Sequence, residues 1–354
     1  MAAGTALLCA LPVIVAAWPV PAFALSAAQL RNRIMASGHV SYQGYAESDV
    51  NLDLPSLPDL GNVVSLLDGS TDQYAWYRSP DEWRADVLTT AGEDDTYQTS
   101  AGTYLWNYAR NLFTQVVGSQ PVRLPEAADL LPPALARRLL SFAGPADRLS
   151  RLPSQRVAGI AAAGLRIVPG ESATTIAAVD IWADPASGLP LEVAVFGRGS
   201  AAPALVTRFL DLSLSAPSLA DIEPDPGPEV GQSVTALPDA AGVLNGFGPP
   251  LPGRLGGANR VANPGGLADV AAYGSGLARF AVLPLPERVG AEALDTASSV
   301  GASTTLNGGT AVVVETPLLN MVLIGSPTGP VYLLTGAVTV SLLEQAASQL
   351  MGTQ

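Results

Sequence analysis

The chain has 354 residues, which is enough for two domains, and it carries a formal net charge of −13 at pH 7. All 18 basic residues are arginines, so chemistry that requires a lysine, such as a Schiff base or a P-loop, is excluded. The acidic balance predicts that the surface repels nucleic acid phosphates and anionic lipid head groups.

The N-terminal segment is typical of an export signal. Residues 1–24 contain no charged side chain and end in the pattern Ala-Phe-Ala, which suits cleavage before Leu25. Cleavage would remove Cys9, the only cysteine. No arginine precedes the apolar run, so an uncleaved N-terminal anchor is the alternative. Both alternatives predict an exported, periplasmic or cell-envelope protein, which is soluble after cleavage or anchored at its N-terminus.

Residues 25–215 predict a first domain built mainly of antiparallel strands. Ser26 and Gln29 have the spacing of a capping box, which starts a short helix. Over residues 39–117 apolar and polar side chains alternate, and this period of two indicates a β meander.

Aromatic residues concentrate in the same stretch of strands. An aromatic-lined concave sheet can hold an apolar ligand, and Trp76, Trp83 and Trp106 are the candidate walls of such a cavity. The alternative is that these rings fill a core or decorate the strands, as aromatic side chains in sheets generally do.

Residues 124–152 interrupt the strand pattern with leucine-rich, proline-punctuated helical segments. Helices inserted between strands must cover one face of the sheet, because neither element buries its apolar side alone. We therefore predict a helical lid over residues 124–152, with Leu130, Leu131 and Leu139 facing the ligand.

Residues 179–193 predict a hairpin whose turn is formed by residues 184–188, where a proline and a glycine supply the turn geometry. Its apolar side chains alternate with polar ones. Ile181, Leu191 and Val193 are therefore expected on the concave face, as part of the same cavity.

Two further segments complete the chain. Residues 216–266 are rich in proline, glycine and acidic residues, which predicts a semi-rigid linker. Its carboxylates lack the spacing of a calcium loop. Residues 267–354 again show strand patterns and a terminal helical pattern, which predict a small α+β domain.

The sequence offers little for catalysis. A serine hydrolase needs a base beside its nucleophile, and His39 is the only histidine. One histidine and no cysteine in the mature chain exclude a zinc site, and no phosphate-binding glycine motif supports a nucleotide cofactor. Acidic runs at 93–95 and 81–82 leave a glycosidase as the remaining enzymatic alternative. We expect no enzyme activity, no cofactor and no metal.

Several motifs resemble the LolA/LolB lipoprotein-carrier superfamily over roughly residues 26–215. They are Trp-Arg-Ala-Asp at 83–86, Thr-Tyr-Leu-Trp-Asn-Tyr at 103–108 and Val-Asp-Ile-Trp-Ala-Asp at 179–184. The resemblance implies a curved antiparallel sheet that forms an unclosed barrel, with inserted helices as a lid over its mouth.

The C-terminal part resembles the second domain of the RseB/MucB sigma-factor regulators, which join a LolA-like domain to a small domain through a linker. The resembling motifs lie at residues 273–282 and 333–338. The overall expectation is therefore an α+β protein with a LolA-like half-barrel followed by a small α+β domain.

Two functions follow from these expectations. In the first, the protein is a non-catalytic extracytoplasmic binding protein that holds an acyl chain, lipid or lipoprotein and senses envelope stress. In the second, it is a regulatory partner of an anti-sigma factor or another membrane protein, as the RseB resemblance implies. No nucleic acid partner is expected, given the net charge of −13.

Overall fold

The computed structural model describes residues 20–54, 61–118, 125–236, 248–261, 271–306, 309–325 and 330–352. Most of the predicted export segment, including Cys9, lies outside these ranges.

A single twelve-stranded sheet forms the first domain. Its spatial order is β12-β6-β5-β4-β3-β2-β1-β11-β10-β9-β8-β7, and the two terminal strands do not pair, so the sheet stays open. The strands are β1 Tyr42–Val50, β2 Gly69–Ser79, β3 Glu82–Thr89, β4 Gly92–Thr99, β5 Gly102–Asn107, β6 Leu112–Val117, β7 Arg148–Val157, β8 Ile160–Val168, β9 Ile176–Ala183, β10 Pro190–Gly197, β11 Leu205–Ser213 and β12 Gly231–Ala236.

The predicted hairpin is confirmed, with β9 and β10 as its strands. The carboxylate of Asp184 accepts hydrogen bonds from the backbone N–H groups of Ala186 and Ser187, which folds the turn locally. Gly188 closes it with a φ of 77°, a conformation that favours glycine.

Three helices belong to the first domain, within the described ranges: α1 Ala27–Ala36, α2 Gly61–Leu67 and α3 Pro132–Phe142. The predicted capping box is present, since Ser26 and Gln29 each bond the other's backbone N–H. The buried stripe of α1, Leu30 and Ile34, packs in one core with α3 and strands β8 to β11.

The helical insert is shorter than predicted. Its regular part is a 3-10 turn, Ala127–Leu130, followed directly by α3. Residues 148–152, which the leucine-rich pattern places in the lid, form the first half of β7 because their backbone pairs with β8. We use the term lid below for residues 126–142.

The second domain is a six-stranded antiparallel sheet between two helices. Its order is β15-β16-β20-β19-β18-β17, with helix α4 on one face and helix α5 on the other. The elements are β15 Ala271–Ser275, β16 Ala278–Leu285, α4 Glu287–Val300, β17 Ala302–Leu306, β18 Gly309–Val314, β19 Asn320–Gly325, β20 Val331–Gly336 and α5 Val340–Gly352.

The predicted linker is partly structured. Residues 217–236 lie against the first domain: Arg78 donates a hydrogen bond to the carbonyl of Pro217, and Asn111 donates one to the carbonyl of Glu229. A 3-10 turn, Leu219–Asp221, precedes β12, which pairs in parallel with β6. Beyond the undescribed residues, a small hairpin of β13 Arg254–Leu255 and β14 Ala258–Asn259 packs on the second domain.

The two domains are in direct contact. Thr174, in the loop between β8 and β9, forms a β-bridge with Val338, and the hydroxyl of Thr175 donates to the carbonyl of Leu318. Leu277 and Leu318 of the second domain are buried in the core of the first. The predicted α+β class, an open curved sheet with helices over it followed by a smaller α+β domain, is confirmed.

Candidate ligand cavity

The large sheet has one face covered by helices, here called the inner face, and an opposite outer face. Side chains of directly paired residues in antiparallel strands point to the same face, and neighbours along a strand alternate. Tyr42, Ala75 and Phe209 pack with Leu131 of the lid, which assigns their face as the inner one.

The lid forms over the inner face for local reasons. Pro132 and Pro133 occupy the first positions of α3, where their fixed φ suits a helix start and their missing N–H groups cost no hydrogen bond. The buried stripe Pro132, Pro133, Ala136 and Leu140 then faces the sheet. Before the helix, Glu126 and Asp129 cap the 3-10 turn with reciprocal hydrogen bonds.

A cavity of about 240 Å³ lies between the lid and strands β1 to β3. This is larger than the ~150 Å³ engineered cavity that binds benzene in another protein. Its walls include three aromatic residues of the inner face, Tyr42, Tyr77 and Trp83, and three lid residues, Leu131, Ala134 and Arg137.

The aromatic walls are rigid and neutral. Tyr42 and Tyr77 stack with ring centroids 5.1 Å apart, and Phe209 meets Tyr42 edge-on at 5.5 Å. The hydroxyl of Tyr77 donates to the carbonyl of Gly38 at 2.6 Å. Burial raises the pKa of Tyr42 and of Tyr77, although the positive charge of Arg137 opposes the rise in both. Both phenols therefore stay protonated at neutral pH.

Three of the residues predicted from the sequence as cavity walls, Trp76, Trp83 and Leu131, border this cavity. The others on the inner face are packed in the core. Ile181, Leu191 and Val193 have no exposed surface, Leu130 is buried, and Leu139 packs partly buried against the same core. Over this part of the sheet, helix side chains occupy the space where a ligand was expected.

Trp76 and Trp106 belong to the outer face. Trp83 pairs with Tyr77, whereas its neighbour Arg84 pairs with Trp76, so Trp76 and Trp83 point in opposite directions. Trp106 pairs with Asp95, which shares the face of Arg84. Trp76 borders the cavity, but its ring is directed to the outer face.

A charged network on the outer face is a feature that sequence reasoning missed. The guanidinium of Arg84 lies between the rings of Trp76 and Tyr97, at 4.9 and 4.8 Å from their centroids. It binds the carboxylate of Asp86 at 2.6 Å and that of Asp95 at 3.0 Å. The signal in the sequence is period-two spacing of opposite charges on adjacent strands, Arg84 and Asp86 facing Asp95.

Burial governs the protonation of this network. It raises the pKa of Asp86 to about 7, against the hydrogen bond from Arg84, which lowers it. The carboxylates of Asp86, Glu93 and Asp95 approach within 4.8 Å of one another. A cation would have to share these carboxylates with the guanidinium of Arg84, so the donor set is better matched to the arginine than to a metal.

The fold and the cavity define a class of protein: an open half-barrel whose inner face is covered by a helical lid, joined to a smaller α+β domain. No family model and no curated protein matches the chain. Among solved structures, the chain is similar to MucB in complex with periplasmic MucA and to the MucA/MucB complex of Pseudomonas aeruginosa. Both are 18% identical with a TM-score of 0.49, over 91% of this chain and 97% or 96% of theirs.

A LolA-superfamily protein from Nitrosomonas europaea is also similar, with 12% identity and a TM-score of 0.25, over 57% of this chain and 99% of its own. Within the described residues, no helix combines the length and the apolar character that crossing a membrane requires.

Proposed function

We propose that the protein is a non-catalytic extracytoplasmic binding protein that holds an acyl chain, as a lipid or as the lipid of a lipoprotein, between the lid and the inner face. The observation that supports this is the cavity itself, whose walls combine stacked aromatic rings with Leu131 and Ala134. Such walls recognise apolar chains through burial.

The position of the histidine supports the non-catalytic part of the proposal. His39 is exposed at the end of a 3-10 turn, Ser37–His39. It does not line the cavity. The aromatic walls contain phenols with a raised pKa, which do not serve as bases at neutral pH.

A chain-length series tests the proposal. Each buried methylene contributes about 0.8 kcal/mol, so affinity for labelled fatty acids should rise about fourfold per methylene until the chain outgrows the cavity. Native mass spectrometry of the purified protein should also detect an acyl ligand. If no acyl ligand is found and no fatty acid binds, the proposal is wrong.

A matched pair of variants locates the site. Trp83→Ala removes an inner-face wall and should weaken binding at least tenfold, since ~1.4 kcal/mol of lost apolar contact suffices for that. Trp106→Ala removes a ring of the same type from the outer face and should leave affinity unchanged. If Trp106→Ala weakened binding and Trp83→Ala did not, the ligand would bind on the outer face and the proposed site would be wrong.

A second candidate function is regulation through another envelope protein, such as an anti-sigma factor. The observation that favours it is contact between lid and second domain: the guanidinium of Arg279 in β16 lies 4.6 Å from the ring centroid of Phe142, the last residue of α3. This contact supports a coupling in which a displacement of the lid is passed to the second domain.

Point variants test this candidate better than deletion of the second domain, because deletion would expose the first core at the sites of Leu277 and Leu318. Arg279→Ala should reduce capture of a co-expressed anti-sigma partner while fatty acid binding persists. Unchanged capture would argue against coupling through the lid.

A further inference from the structure

Arg137 is a charged residue on the buried side of an amphipathic helix. It stands four residues after Pro133 and three before Leu140, both buried, so the helical period directs it toward the sheet. It lines the cavity together with Tyr42 and Tyr77. One of its terminal nitrogens, Nη1, is buried and has no hydrogen-bond partner in the described part of the chain.

The carboxylates that also border the cavity are occupied. Asp129 accepts from the backbone N–H of Glu126 at 3.0 Å and has Arg138 at 3.9 Å, and Glu126 takes part in the same capping box. Arg84 is bound to Asp86 and Asp95. Within the described residues, Arg137 is therefore the arginine of this cavity that has a buried nitrogen without an acceptor.

We infer that the cavity accepts amphiphiles with an anionic head, and that the guanidinium of Arg137 binds the carboxylate or phosphate oxygens of that head. A guanidinium carries donors only, and its fork matches carboxylate and phosphate geometry. The buried Nη1 lacks an acceptor, so a head-group oxygen that reaches the guanidinium would restore a hydrogen bond that the described part of the chain does not make. This inference rests on the proposed function and adds the class of head group.

The overall net charge of −13 does not oppose this. Charges across the surface are screened over a Debye length of about 8 Å at physiological ionic strength, whereas Arg137 would contact the head directly. The acidic surface disfavours non-specific adsorption to anionic membranes, so selectivity for an anionic head would come from the cavity alone.

Calorimetric titration of the full chain with three ten-carbon probes tests the inference: decanoate, decyl phosphate and 1-decanol. The two anions should bind about 10- to 100-fold more tightly than the alcohol, which is the contribution of charge-assisted hydrogen bonds to a guanidinium. The tighter of the two anions identifies the carboxylate or the phosphate as the preferred head.

Arg137→Gln should remove the preference for the anions while 1-decanol binds as before. Retained binding of the uncharged 1-decanol also shows that the variant is folded. Arg138→Gln is the matched control, because Arg138 is the next residue of α3 and its side chain is 60% exposed. It should keep the preference. Equal affinity for all three probes in the native chain, or a preference that persists in Arg137→Gln, overturns the inference. Absence of binding by any probe overturns the proposed function as well.

Discussion

Asp86 should make the first domain less stable as the pH rises toward neutrality. The residue is 2% exposed, and burial raises the pKa of its carboxyl group from 3.8 to about 7 in the folded protein. In the unfolded chain the group titrates near its ordinary value. Between these two pKa values, folding therefore takes up a proton.

The sign and the size follow from linkage. A group whose folded pKa is raised contributes stability at low pH, and this stability is lost as the pH rises through the folded pKa. The full slope is about 1.4 kcal/mol per pH unit, and it flattens near pH 7, so Asp86 accounts for a loss of about 2 kcal/mol between pH 5 and pH 7. Burial also raises the pKa of Asp95, which adds a loss of the same sign.

Denaturant unfolding followed by tryptophan fluorescence measures this effect. Four of the five tryptophans lie in the first domain, Trp18 lies in the predicted export segment and the second domain has none, so the signal does not report the second domain. Asp86→Asn should flatten the decline between pH 5 and pH 7. Asp94→Asn removes the same charge from an exposed position on β4 and should not. Stability that rises over this range in the native chain, or the same decline in Asp86→Asn, would refute the reasoning.

Three further predictions can be checked by the same fluorescence assay or by calorimetry. Leu140→Ala should cost about 2–5 kcal/mol because the side chain is fully buried under the lid, and Leu139→Ala should cost less because Leu139 is only partly buried. Gly188→Ala should destabilise more than Gly199→Ala: both residues have a positive φ, but only at Gly188 would the new Cβ meet the backbone of α1. Thr175→Ala removes the hydroxyl bond to the carbonyl of Leu318 in the second domain and should destabilise the chain by about 1 kcal/mol; an unchanged calorimetric transition would contradict this.

Locally encoded elements were predictable from the sequence. The capping box of Ser26 and Gln29 and the turn at Asp184 each depend on hydrogen bonds between residues two or three apart. Helix α4 was missed because glycine, serine and threonine lower its helix propensity. Its one clear signal is the buried pair Ala293 and Ala297 at helical spacing, which packs against the second sheet.

The candidate site was predictable only in part. Alternation with a period of two shows which residues of a strand share a face, but it does not show which face of the sheet the helices cover. Trp76 and Trp83 lie on adjacent strands, yet the pairing register directs their side chains to opposite faces of the sheet. Arg137 was missed because a charged residue in a leucine-rich helix is ordinarily solvated. Its environment depends on Tyr42 and Tyr77, which are distant in sequence.

Strand β12 has a further consequence for how the protein behaves at high concentration. An edge strand with free N–H and C=O groups is a template for pairing with other chains. The edge of β6 is covered from within the same chain, by a segment that exposes 68% of Val234 and so gains little from burial. The free edge on this side therefore belongs to β12, and pairing with another chain at high concentration would have to use this six-residue strand of the Pro/Gly-rich stretch instead of β6.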